Sequence, residues 1–585
     1  MNRKRISNQL LLYFLMLMLL MVTVGCSNSD DDPAGTTQTV SGVAAAGAPI
    51  IGYAYLKDSA GHTLGPKEIA QNGSFSFAVT GLTAPFYLRA EGSVGSTSYD
   101  LYSAATGAGT ANINPLTNVA VAAAAGVNDP ASAYGDPAQY PITQANLDTA
   151  VADIQAMLQP LLDAFNANTN PLTGSYATDH TGLDAVLDVV KVELKTDTGA
   201  VTVTDKTTGT LMGSTTAATI GSAATVTNVP STQTVTDLQD IAAMLSQYAT
   251  ALNKGTSLTA ADLDPFYATN YGINDGWNRT QKINDELSEG PTSRGLTISE
   301  IKNLVIEEKI DSDYRISGIA YFSDGSTGFP EEGFIVTKED AAWKLKGNGF
   351  KSEPDIYFGT IAWVKTDNTR QLESGIFLDS EDVGNLGLQS AVITGPGLPE
   401  NGVTLSKPQN EPTHLWLDQA FQNYTIPTDN WSFYVMSDTI IDSIPDNAEY
   451  TITFKDTINT VVETRTFKLP KRPYKRSEIT DGHFATTPET TAGTASHKLS
   501  DYIGKTLNVT YAKPTAYITA EMELELNYWD NTMQSAWFDT YLLLNQTSAS
   551  VTTTTPAWTP QQGFIGLQAH DIFGREISGR WMLAP

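Results

Sequence analysis

The sequence predicts a multidomain, mainly β protein: β-sandwiches with a helical insert and a central α+β domain of cone type. Three observations carry this. Most of the chain consists of short runs that alternate apolar and polar residues between glycine turns. Ser74, Phe75, Ser76 and Phe77 are one such run, which puts aromatics on one face of a half-buried strand. Two windows switch to a spacing of three and four, the mark of an apolar stripe on a helix. The chain also has a single cysteine, Cys26, so its 585 residues must be held by ordinary cores. At about 100 to 200 residues per domain there is room for several of them.

The chain starts MNRKR, with Arg3, Lys4 and Arg5 ahead of an uncharged apolar run from Leu10 to Val24 that ends at Gly25 and Cys26. A basic start, an apolar centre and small residues at the end are the parts of a secretory signal peptide, expected over residues 1–25. The 15 residues of that run fall short of the ~20 that a membrane-spanning helix needs. Thr23, Val24, Gly25 and Cys26 resemble the lipobox of bacterial lipoproteins, with Thr23 standing where leucine is usual. The resemblance implies that Cys26 becomes the mature amino terminus and the lipid attachment site, carrying palmitate-type acyl chains. Ser27, in place of aspartate, implies the outer membrane. Asp30, Asp31 and Asp32 resemble the acidic export signal of surface-exposed lipoproteins, and residues 26–38 otherwise read as an acidic tether.

The formal net charge is −29, and removal of residues 1–25 leaves 32 basic against 64 acidic residues. Such a surface argues against nucleic acid and anionic membrane surfaces as partners. With no second cysteine there is no intramolecular disulfide, no thiolate zinc site and no CxxCH haem attachment, and no cofactor is expected.

Residues 39–126 read as a small β-sandwich. SGVAAAGAPIIGYAYLKDSAG, followed by NGSFSFAV, resembles the prealbumin-like carboxypeptidase-regulatory module, which implies a spacer or binding unit without catalytic residues. Residues 127–195 read as helical. Leu147, Val151, Ile154, Leu158 and Leu162 form one stripe, and Thr143 is placed to cap it. Pro160 is expected to kink or divide that helix, and a second helix is expected from 183 to 194. A hairpin, VTVTDKTTGTL, and a Thr/Ala-rich linker are expected over 196–232.

Residues 233–352 open with an amphipathic helix, capped by Thr236, that carries Leu238, Ile241, Met244, Leu245, Tyr248 and Leu252 on one side. They close in long strands ending on Trp343, Leu345, Gly347 and Asn348. This order resembles the nuclear-transport-factor-2-like cone fold, whose relatives include isomerases and dehydratases with an apolar pocket. Tyr271, Trp277 and Tyr248 are the residues expected to line a ligand pocket here. No enzymatic motif matches residue by residue, so no catalytic residue is assigned.

From residue 353 the chain is strand-like. AYITAEMELELNYW puts Met522, Leu524 and Leu526 opposite Glu521, Glu523 and Glu525, one face dry and the other wet. The turns in AVITGPGLPENGVTL and DYIGKTLNVTYAKP resemble those of immunoglobulin-like folds, which implies two sandwiches, 353–470 and 471–585. The basic run KRPYKR at 471–476 reads as a solvated linker, with binding of an anionic polymer as its alternative.

Little chemistry is expected. His62, His180, His414, His483, His497 and His570 include no pair three or four apart on a helix, so the HExxH zinc motif is absent. G-x-S-x-G and GxxxxGK[ST] are absent too. LDSEDVGN at 378–385 departs from a calcium loop, since Val383 stands where an oxygen ligand is needed, and no metal is assigned. By elimination the sequence predicts an outer-membrane lipoprotein that presents its domains outside the cell or in the periplasm, binds an envelope protein or a glycan and is not an enzyme. Two alternatives stay open: small-ligand or glycan binding in a pocket of 233–352, and an isomerase- or dehydratase-like activity in that same segment.

Overall fold

The computed structural model describes residues 37–585 except 291–294, 329–332, 368, 408–412, 425–431, 487–497, 531–533 and 584–585. Cys26, the signal segment, the acidic run at 30–32 and His497 lie outside the described residues. The protein is mainly β, multidomain in layout, with several sheets and with its helices gathered in the middle of the sequence.

In the first region local alternation sets the packing. Ile51–Asp58 buries every second residue and lies in an antiparallel sheet ordered Thr63–Glu68, Ile51–Asp58, Phe86–Val94, Thr97–Ala105. Thr39–Val43 pairs with Ser74–Ala78 in a second sheet. Val40, Leu56, Phe75, Phe77 and Leu88, drawn from both sheets, share one core.

Pro115–Ala125, Pro130–Gly135, Gln144–Ala164 and Gly182–Val189 are helical. Asn114 caps the first by accepting the Leu116 and Thr117 N–H groups, and Thr143 caps the third by accepting from the Asn146 N–H at 3.2 Å. The whole stripe from Leu147 to Leu162 is buried. Pro160, expected to kink or divide this helix, does not divide it. The helix runs on to Ala164, because Leu161 and Leu162 beyond the proline are packed into the core and hold the last turn. The next helix ends at Val189, earlier than expected, and Val190–Lys195 pairs instead as a strand with Ala200–Asp205. The β-branched Val190 and Val192 favour extended backbone there. The expected linker is structured as well: Leu211–Thr216 adds a third strand, and Met212, Ile220 and Val226 enter the helical core. Its polar composition hides three apolar anchors.

Gln233–Leu252 begins ahead of the expected cap, so Thr236 lies inside the helix and Thr232 holds the cap position. Leu238, Ile241 and Leu245 pack on an antiparallel sheet of Ile298–Ile310, Asp313–Phe322, Phe334–Glu339 and Ala342–Lys346, against Leu304, Ile316 and Val336. A helix laid on a sheet is the α+β arrangement.

In the C-terminal region a single hydrogen-bonded sheet crosses the boundary expected near Pro470. Its order is Val461–Leu469, Ala448–Lys455, Ser390–Thr394, Val403–Ser406, His414–Leu417, Arg370–Glu381, Glu353–Val364, Glu576–Met582, Gln562–Asp571, Thr519–Trp529, Ser535–Tyr541. The join is a parallel pairing between the first and last strands of the region, 359–364 against 576–581. One face of the sheet is dry and carries two cores. Phe358, Ile376, Leu378 and Tyr450 build one of them, and Leu524, Leu526, Leu567 and Ile577 the other. The opposite face of the shared strands carries polar and aromatic side chains. No helix among the described residues is long and apolar enough to cross a membrane.

Candidate functional site

On the polar face, side chains from the joined strands line a groove of about 530 Å³. The register sets Asp355 opposite Asp379, Tyr357 opposite Phe377 and Gly359 opposite Gly375. Both glycines are needed for close approach. A Cβ on Gly359 would lie 2.4 Å from the Phe377 ring, and one on Gly375 would lie 2.0 Å from the Tyr434 carbonyl oxygen. Phe377 uses that space to stack on Tyr357 at 4.7 Å and to meet Phe433 at 4.6 Å. The Tyr357 hydroxyl donates to Glu576 Oε2 at 3.1 Å, and the His570 ring meets Tyr357 edge-on at 5.8 Å.

Deeper in the groove, Arg580 is buried between two buried carboxylates, 3.6 Å from Glu525 Oε2 and 3.9 Å from Glu576 Oε1. Its guanidinium also lies over the rings of Trp363 and Phe564, at 5.4 and 5.1 Å. Two carboxylates are tolerated here because the Arg580 cation lies between them, itself held over two aromatic faces. Nearer the surface, Gln568 Nε2 donates to Glu523 Oε2 at 2.6 Å. His414 is ion-paired with Glu381, and its ring lies 6.0 Å from Trp416. Trp537, 47% exposed, leans edge-on against Phe564 at 6.0 Å.

Burial pushes the Asp379 carboxyl up to about 7, with Asp355 across the strand pair adding to the shift. Desolvation in the groove, with the neighbouring Glu576 and Glu353 carboxylates, pushes Asp355 up to about 6, but the residue is exposed to solvent, which screens that shift, so Asp379 carries most of the effect. Among the described residues Asp379 Oδ1 is buried without a hydrogen-bond partner. Both carboxyls hold protons more tightly folded than unfolded. The stability they contribute is therefore full below about pH 4 and is lost as pH rises through about 6 and 7. His570 acts in the same sense: burial is the largest single influence and opposes its charge, but the hydrogen bond to Glu521 together with the Glu576, Glu521 and Asp355 carboxylates raises the imidazole. The protein is expected to unfold at a higher temperature at about pH 5 than at about pH 7.5, and Asp379→Asn is expected to narrow the gap. Thermal melts at the two pH values check this, and a higher melting temperature at the upper pH contradicts it.

The residues expected to line a pocket in 233–352 lie elsewhere. Tyr248 and Tyr271 are brought together, joined through Tyr267: ring centroids are 6.2 Å apart for Tyr248 and Tyr267 and 5.6 Å for Tyr267 and Tyr271, and the Tyr248 and Tyr267 hydroxyls are 3.0 Å apart. All three rings are buried core. Trp277 stands apart on the short Ile273–Asn274/Trp277–Asn278 hairpin, its indole N–H donating to Glu353 Oε2 at 3.1 Å. None of the three lines the groove. The KRPYKR run is neutralised rather than free: Arg472 pairs with Glu478, Lys475 with Asp442, and Lys471 with Asp446 and Glu91. In LDSEDVGN the Asp382 carboxylate accepts the N–H groups of Leu386, Gly387 and Leu388 and pairs with the Lys407 ammonium, so both of its oxygens are used within the protein.

Reasoning from the sequence missed the groove. Its one local signal was the Glu521, Glu523, Glu525 alternation, which reads equally well as a solvated face.

No protein-family model matches the chain, and no curated protein matches it. Solved structures that match include one from a study of host cell surface retention by a 1.5-MDa bacterial ice-binding adhesin, with 10% identity over 47% of this chain and 74% of that one, at a TM-score of 0.13. Another is a Ca²⁺-stabilised adhesin with which an Antarctic bacterium binds ice, with 10% identity over 95% and 99%, at 0.13. A third is a tetra-tandem repeat from the extending region of a large adhesion protein, with 10% identity over 93% and 98%, at 0.12. At scores this low the likeness establishes neither a shared fold nor a shared ligand.

Proposed function

We propose that the protein is a lipid-anchored cell-envelope protein that acts by binding, and that the groove on its C-terminal sheet takes a glycan. The observation that carries the reading is the combination, in one cleft, of indoles from Trp416 and Trp537 with the carboxyls of Asp355 and Asp379 and the carboxamide of Gln568. A sugar ring offers a C–H face that packs on an aromatic plane and hydroxyls that donate to carboxylates. A wholly apolar ligand would leave Asp379 Oδ1 buried and without a partner. Nucleic acid is disfavoured by the excess of 64 acidic over 32 basic residues in the mature chain. Anchoring at Cys26, placement in the outer membrane and surface display are supported by the sequence and belong to the same proposal. A pocket within 233–352 has less support, because Tyr248 and Tyr271 are used in packing.

The test is retention of the protein in gels containing a panel of soluble polysaccharides. At least one is expected to retard it. Trp537→Ala, at a position already 47% exposed, is expected to leave the melting temperature in place. It is expected to weaken binding about 30-fold, the effect of about 2 kcal/mol for truncating an aromatic anchor. Unchanged mobility across a broad panel argues against the reading. One observation favours a second reading: two facing carboxyls raised to about 6 and about 7 span the range of a general acid and its partner base. Release of reducing ends by the wild type and not by Asp379→Asn separates hydrolysis from binding.

A further inference from the structure

Outside the groove, the helical region holds a second cluster of chemically capable side chains. Asp184 and Asp188 lie one turn apart on Gly182–Val189 and are 0% and 2% exposed. His180 precedes that helix with a left-handed backbone, φ +60°. This conformation turns its N–H onto Asp184 Oδ2 at 2.8 Å and its ring onto Asp188, Nδ1 to Oδ2 2.9 Å. The Tyr176 hydroxyl donates to Asp184 Oδ1 at 3.3 Å. One ligand-capable atom from each of His180, Asp184 and Asp188 lies within 4.8 Å of the others. Among the described residues Asp188 Oδ1, though buried, has no hydrogen-bond partner. The neighbouring cation, Lys206, directs its ammonium to the Leu187 carbonyl at 2.8 Å. A cavity of about 400 Å³ opens onto His180 and Asp184 and gives a cation and its waters a way in.

We infer that His180, Asp184 and Asp188 form a binding site for a divalent transition-metal cation of the zinc type, with water from the adjoining cavity as the remaining ligand. Three features support it together. His180 and the Lys206 ammonium already act on the two buried carboxylates, and a divalent cation among the three ligands would complete their neutralisation. Asp188 Oδ1 is an acceptor without a donor in a protein interior, where such atoms are rare. One imidazole and two carboxylates suit zinc, which takes nitrogen and oxygen ligands in a four-coordinate shell, whereas calcium demands six to eight oxygens. The site would also act as a staple. The cavity it borders is walled by Gly47 to Pro49 of the first sandwich and by Ala242 and Ser246 of the central helix, and Gln239 Nε2 donates to the His180 carbonyl at 3.4 Å. The three protein ligands all lie within residues 180–188, so a bound cation would fix the left-handed turn at His180 to the helix that follows it.

The test uses the full chain with Cys26→Ser, so that no thiol competes for metal, stripped with a chelator and titrated with Zn²⁺ alone in a calorimeter. One equivalent is expected to bind in the micromolar range or tighter and to raise the melting temperature. Co²⁺ as a probe is expected to give a visible absorption band of a low-coordinate site. Asp188→Asn keeps shape and removes charge, and is expected to weaken binding about 10- to 100-fold and to abolish the Co²⁺ band. His180→Gln, at a side chain still 20% exposed, is the second variant and is expected to do the same if Asp188→Asn fails to fold. Absence of micromolar Zn²⁺ binding, or one equivalent retained with unchanged affinity in His180→Gln, overturns the assignment.

Discussion

Asp382→Ala is expected to lower the stability of the C-terminal sheet by about 3 to 5 kcal/mol, the cost of removing one partner from a buried charged pair. The side chain is fully buried, and both oxygens are in use. Oδ1 accepts from the Leu386 N–H at 2.6 Å, while Oδ2 accepts from Gly387 and Leu388 at 3.1 and 3.0 Å and from Lys407 Nζ at 2.9 Å. Alanine leaves three backbone donors and an ammonium without an acceptor, in a loop that already holds Asn385 and Gly387 at positive φ. The loop leads from Arg370–Glu381 into Ser390–Thr394, so its loss uncouples a groove strand from the core beside it. Scanning calorimetry should show the transition falling by about 10 °C, at about 2 to 4 °C per kcal/mol for a unit of this size. Asp382→Asn keeps one acceptor and should fall between. A variant that melts with the wild type would show that the loop is held by something else.

Cys26→Ser is expected to move the protein from the membrane pellet to the soluble fraction almost completely. Each buried methylene contributes about 0.8 kcal/mol, so one acyl chain binds only reversibly while two or three hold a protein in place. If Cys26 is the anchor proposed above, loss of its sulfur prevents attachment of these chains. The remaining mature chain carries 64 acidic against 32 basic residues and gains nothing from an anionic bilayer surface. Fractionation of cells followed by immunodetection reads the outcome directly. A variant that still sediments with the membrane shows that anchoring does not depend on the thiol.

What the sequence made legible is what repeats locally. Ser74 to Phe77 alternate in burial as written, and Met522, Leu524 and Leu526 face the core with Glu521, Glu523 and Glu525 on the other side, but that side is not all wet as expected: Glu525 is buried in the groove beside Arg580. The stripe from Leu147 to Leu162 is a helix face, with Thr143 at its cap. A pairing between strands that begin at Glu353 and Glu576 leaves no local trace, because each strand carries only its own alternation and nothing that names its neighbour. The groove is a product of that pairing, so its floor was invisible: Asp355, Asp379, Gln568 and Arg580 are ordinary polar residues until the register puts them together. Tyr248 and Tyr271 are used in packing, for a reason the sequence leaves open. Large aromatics at helical spacing are a pocket wall or a core filling with equal ease, and here Tyr267 fills the space between them. His180 and Asp188 are eight residues apart across a helix start, a spacing that matches no motif. Only the left-handed turn at His180 closes the cluster.

The most direct test of the central claim is the position of a bound oligosaccharide. In crystals of the mature chain grown with a fragment of the best-retained polysaccharide, a sugar ring should lie flat on Trp537 or Trp416, with hydroxyls within about 3.2 Å of Asp355, Asp379 or Gln568. Sugar bound elsewhere on the molecule, with only water in the groove, contradicts the account.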